Sequence, residues 1–137
     1  MGATFLAGPL TGPSSTSAPE IAASAVENAA VTFIRAMQSG DVATVWLYAT
    51  EEEQDAFGTE QAMYEAYSED FPVLTLAKSA VPDREWQEGD ASFVEVKVSD
   101  SYRNEYTATM GFWLSDASDW QLISCDVKPV SDRIASR

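Results

Sequence analysis

The stretch YRNEYTATMGFWL, residues 102–114, changes character at almost every step. Successive strand residues point to opposite sides, so Tyr106, Ala108, Met110, Phe112 and Leu114 share one face, and Arg103, Glu105, Thr107, Thr109, Gly111 and Trp113 take the other. A half-buried strand is the reading, with the Met110 and Phe112 side inward and Trp113 outward. Upstream, ASFVEVKVS at 91–99 alternates in the same way and puts Val94, Val96 and Val98 on one face. Downstream, the turn Ser115 to Asp119 leads into WQLISCDV at 120–127, the expected last strand. Regular alternation there gives Ile123, Cys125 and Val127 one face and Leu122, Ser124 and Asp126 the other, so only one set can be core. VLTLAKSAV at 73–81 reads as the first strand. It is followed by a turn within 81–90, where Pro82, Asp83 and Glu88-Gly89-Asp90 stand.

Before residue 72 the period is helical. Ser17-Ala18-Pro19-Glu20 has the form of a capping box with proline in the first turn, followed by Ile21, Ala25, Ala29, Phe33 and Met37 at four-residue spacing until Gly40. Asp41 is placed to cap a short helix over 42–49, with Val42, Val45, Trp46 and Ala49 inward. Thr50 to Glu53 forms a second capping box, ending near Phe57 and Gly58. Thr59 starts a helix to about Asp70 that buries Ala62, Met63, Ala66 and Tyr67, and Pro72 prevents its continuation. Helices first and strands second, with no βαβ crossover, predict an α+β fold: N-terminal helices packed on an antiparallel sheet of about four strands.

With 137 residues, 45% of them apolar, the chain fits one domain with one core. Residues 1–18 carry no charged side chain and are rich in Gly, Pro, Ser and Thr, which predicts a flexible leader or the remnant of an export segment. The domain is expected over 19–128, with a loose tail over 129–137 after Pro129. The net charge of -14 argues against nucleic-acid binding, which needs a cationic footprint. Cys125 is the lone cysteine and histidine is absent, which excludes Ser-His-Asp and Cys-His nucleophiles and the usual zinc sites. No metal, no cofactor and no transmembrane segment are expected. A periplasmic or secreted location is expected if the leader is an export remnant, and a cytoplasmic one otherwise.

Three strings carry a family likeness: FIRAMQSGDVATVWLYAT at 33–50, AFGTEQAMYEAY at 56–67 and WQLISCDV at 120–127. With the order of elements, they resemble the nuclear-transport-factor-2-like, or cystatin-like, superfamily, and within it small bacterial envelope proteins with a domain of unknown function. The resemblance implies a cone: a curved sheet wrapped against helices, with a pocket on the concave face. Its lining candidates are Trp46, Tyr64, Tyr67, Phe71, Trp86, Met110 and Phe112, with a small apolar ligand as occupant. Enzymes on this scaffold place an Asp or an Asp-His pair in the cone. Here there is no His, and no Asp falls on the inner face of 102–114, so no catalytic residue is assigned.

The expected function is therefore a non-catalytic ligand- or protein-binding module. The alternative is a cofactor-independent lyase or isomerase in the cone, using Tyr64 or Tyr67 as donor and Asp126 as acceptor. Cys125 reads as a small buried hydrophobe. The outward Trp113, with Thr107 and Thr109, is the candidate surface for a protein partner or a homodimer. From Asp41 to Asp70 all nine charged residues are acidic. Glu51, Glu52, Glu53 and Glu60 suit helix N-termini, whereas Glu65, Glu69 and Asp70 stand near a C-terminus and are better candidates for docking.

Overall fold

The computed structural model describes residues 24–130. The proposed Ser17 capping box and Ile21 lie outside the described residues. Helix α1, Ala25–Ser39, is capped by Ser24: its side chain accepts from the Glu27 amide, and the Glu27 carboxylate accepts from the Ser24 amide. Gly40 closes the helix with φ 77°, the left-handed conformation that glycine adopts without steric cost. Then come α2, Val42–Leu47, capped by Asp41, and α3, Glu51–Phe57, with the Thr50–Glu53 capping box. Thr59 caps α4, Glu60–Asp70.

Pro72 does not simply end the helical region. It takes the first position of a one-turn helix α5, Pro72–Thr75, where its missing N–H has no partner to lose. The strand expected from residue 73 therefore starts later, as β1, Ala77–Glu88. The turn expected within 81–90 shrinks to Gly89 and Asp90, because Pro82 stays in the strand. Its position explains why: β1 is an edge of the sheet, where proline is tolerated, and the register shifts beside it.

β2, Ala91–Asp100, β3, Glu105–Leu114, and β4, Trp120–Pro129, complete an antiparallel sheet in the order β1-β2-β3-β4. Arg103 belongs to the β2–β3 turn rather than to the strand, and has φ 68°. Pro129 pairs with Tyr106 within β4, so it does not begin a tail. The inner face holds Val94, Val96, Val98, Ala108, Met110 and Phe112, all buried against Phe33, Ile34, Met37, Val45, Met63 and Leu74. Trp113 is 48% exposed on the other side, as alternation requires.

Regular alternation fails in β4. Gly111 pairs with Ser124 but Phe112 pairs with Leu122, which leaves Ile123 as a bulge. The extra residue lets Leu122 and Cys125 face the same side although they are three apart. Hence Leu122 is buried in the core, and Cys125 and Val127 pack against it too. The choice between two exclusive sets does not arise.

Candidate functional site

The helices close over the sheet through a web of rings. Phe33 meets Tyr48 at 5.7 Å and Tyr67 at 6.0 Å between centroids; Tyr48 meets Phe112 at 6.2 Å; Tyr67 meets Phe57 and Phe71 at 6.3 and 6.1 Å. Edge-to-face and tilted geometries dominate, as the ring quadrupoles favour. Met110 and Phe112 are fully buried in this packing. Trp46 is partly buried against the core, its carbonyl accepting from Gln54 Nε2 at 3.0 Å. The Tyr64 hydroxyl donates to the Met37 carbonyl at 2.6 Å and ties α4 to the last turns of α1. Trp86 stands apart on the outer face, stacked on Phe93 at 5.6 Å with 12° between planes. Arg84 lies 4.7 Å from the Trp86 ring centre and pairs with Glu95 at 3.3 Å. Of the seven lining candidates, Tyr67 and Phe71 border one open cavity; Met110, Phe112 and Trp86 do not line it.

That cavity, about 260 Å³, lies between α3, α4 and the bulge of β4, bordered by Glu53, Tyr67, Asp70, Leu122, Ile123 and Cys125 among others. The Tyr67 hydroxyl donates to Glu53 Oε2 at 3.0 Å. Burial raises the Tyr67 pKa well above the usual phenol value, and the Glu53 charge and this hydrogen bond add to the rise. Burial likewise pushes the Cys125 thiol up to about 12, with the Asp126 charge adding to it. Both groups are held in their neutral forms, the opposite of an activated nucleophile. Asp126, the candidate acceptor of the enzyme reading, is exposed, pairs with Lys128 at 3.5 Å and does not border this cavity.

A larger groove of about 660 Å³ lies between the C-terminal half of α1 and the start of β1. Ile34, Arg35, Gln38, Ser39, Leu76, Lys78 and Ser101 are among its borders. Sequence reasoning did not single out Arg35 or Lys78, although basic residues are scarce in this chain and that scarcity was a usable signal. Their shared position depends on packing between elements distant in sequence, α1 and β1. The outer-face candidates Thr107 and Thr109 are partly buried beside Trp113, and a shallow hollow joins Trp113 to Asp90, Asp116 and Gln121. Glu65, Glu69 and Asp70 are exposed along α4. Glu65 accepts from Gln61 at 3.1 Å, and Asp70 lies on the rim of the smaller cavity.

Among the described residues no helix is long and apolar enough to cross a membrane. No family model matches the chain, and no curated protein does. Among solved structures the chain is similar to a DUF4783 family protein from Bacteroides ovatus, at 13% identity and a TM-score of 0.48, over 72% of this chain and 92% of that one.

Proposed function

We propose that this chain is a non-catalytic binding module. One observation carries the reading: Tyr67, the best-placed polar donor in the interior, is already bonded to Glu53, and burial holds it and Cys125 neutral. A lyase or isomerase site needs a base poised near working pH beside its donor. Here the carboxylate beside the donor is committed to it, and Asp126 points to solvent.

The test is binding without turnover. The chain is screened by thermal shift against short-chain fatty acids, sugar phosphates and aromatic carboxylates, and each stabilising compound is followed by proton NMR after long incubation. Stabilisation with the compound unchanged supports the module. Product that disappears in Tyr67→Phe or Glu53→Gln restores the enzyme.

The outer face of the sheet is the surface proposed for a protein contact, with a second copy as the first candidate. Trp113 is half exposed there, and tryptophan is enriched at the centres of interfaces. Trp113→Ala should weaken self-association by more than about 1 kcal/mol in sedimentation equilibrium and leave the denaturation midpoint nearly unchanged. A monomeric parent chain would remove the homodimer reading. The proposed setting is the bacterial envelope, which rests on the family resemblance of the three strings; cell fractionation tests it.

A further inference from the structure

The charge of this chain makes its cations informative. Eight Lys and Arg stand against 22 Asp and Glu, so a basic side chain has carboxylates to choose from. Three of the described cations use them: Arg84 with Glu95, Lys97 with Asp83, and Lys128 with Asp126. Arg35, Lys78 and Arg103 have no carboxylate partner among the described residues; Arg103 stands exposed in the β2–β3 turn, whereas Arg35 and Lys78 both border the groove between α1 and β1. Among the described residues no Asp or Glu borders that groove. Asp100, paired with Ala77 across the strands, turns its oxygens into the β2–β3 turn, accepting from the amides of Tyr102 and Asn104 and from the Asn104 side chain.

The remaining lining suits a ligand with a charged head and a short apolar body. Gln38 and Ser101 add polar side chains with no partner among the described residues, while Ile34, Leu76, Ala77 and Ala80 supply apolar wall. Leu76 is 63% exposed at the rim. Arg35 lies before the last turn of α1, outside the reach of the partial negative charge at the helix C-terminus. Lys78 sits on a strand and has no such field. The two border one groove because α1 packs across β1.

We propose that this groove binds a small organic anion through a phosphate or carboxylate group held between Arg35 and Lys78. The site rests on the reading of the chain as a binding module and names its ligand class. Charge-assisted hydrogen bonds from two cations give the head group its hold, and no carboxylate among the described residues borders the groove to repel it. In a chain of net charge -14 the cationic patch also sets the place where an anion can approach.

The experiment is an amide NMR titration of the full chain at a fixed ionic strength of about 0.15 M, with inorganic pyrophosphate in one arm and citrate in the other. Saturable shifts at Arg35, Gln38, Ser39, Leu76 to Ala80 and Ser101 are expected. Binding only in the first arm assigns a phosphate, only in the second a carboxylate, and in both a general anion site. Arg35→Ala and Lys78→Ala should each weaken binding about tenfold, the loss of one charge-assisted bond. Arg35→Lys and Lys78→Arg should recover part of it. Lys128→Ala, at a cation already paired, should change nothing. Absence of saturable shifts in both arms, or equal affinity in the alanine variants and the parent, would overturn the site. Phosphorus NMR on the same samples separates the two readings: pyrophosphate bound in the groove but hydrolysed would end the non-catalytic reading and leave the site standing.

Discussion

At Gly111 a single methyl group would be felt. A Cβ built there would lie 2.6 Å from the Phe93 ring and 2.6 Å from Ser124 Oγ. The serine can rotate away, but the ring is pinned by its stack with Trp86. Gly111→Ala should therefore destabilise by about 1–3 kcal/mol, the range for overpacking, and adding Phe93→Leu should recover part of the loss in urea denaturation. Full stability in the single variant would show that the outer-face stack yields freely.

The second residue-scale prediction concerns alkaline pH. Cys125 has a folded-state pKa of about 12 against a reference of 9.0, so the neutral thiol is favoured by folding. Its contribution is complete below pH 9 and is lost as pH rises toward 12, because the unfolded chain then binds fewer protons than the folded one. Tyr67, shifted in the same direction from 10.0, adds to the loss above pH 10. Stability should fall above pH 9, and Cys125→Ala should flatten the first part of the fall. One proton limits that slope to about 1.4 kcal/mol per pH unit. Denaturant midpoints measured between pH 8 and about 11 decide it.

At the scale of elements, β4 shows how one extra residue changes a face. Removing Ile123 leaves Leu122 inward, Ser124 outward and Cys125 inward, a regular strand. That deletion should keep the fold, with a loss of about 1–2 kcal/mol for the local rearrangement. Removing Asp126 has the same length effect and the opposite consequence: Val127 turns outward and Lys128 inward. That variant should fail to fold cooperatively, because a one-residue slip exchanges the two faces. Thermal melts followed by circular dichroism compare the two directly. If both deletions were equally tolerated, the bulge would not set the register.

Across the whole molecule, charge is the dominant surface property. A net charge of -14 on 137 residues means self-repulsion in the compact state, and the acidic run from Asp41 to Asp70 concentrates part of it at the N-cap of α2 and on α3 and α4. Salt above roughly 0.1 M shortens the Debye length to about 10 Å and should screen it. The melting temperature should rise by several degrees from about 10 to 500 mM sodium chloride, scaled on one charged-group interaction or two being worth a few degrees. A flat profile would mean that the capping positions of Glu51, Glu52, Glu53 and Glu60 already compensate the charge locally.

The order of elements, the caps at Asp41, Thr50 and Thr59, and the two faces of β3 were all legible in the sequence. Each is a local matter: a side chain within three residues of the amide it caps, or the two-residue period of a strand. Several boundaries misled, two of them at prolines of instructive position. Pro72 opens α5 instead of only ending α4, and Pro82 remains in β1, because proline's cost depends on whether its position lies at a helix start or a sheet edge. The bulge at Ile123 was invisible for the same kind of reason, since nothing in WQLISCDV says which residue lacks a partner on β3. The candidate site was legible only in fragments. Tyr67 and Phe71 stood out as aromatic, but the partner of Tyr67 is 14 residues away on another helix. That Arg35 and Lys78 border one groove was decided by the packing of α1 across β1. Local hydrogen bonding and periodicity are written along the chain; contacts between distant elements exist only once the core has closed and fixed their relative positions.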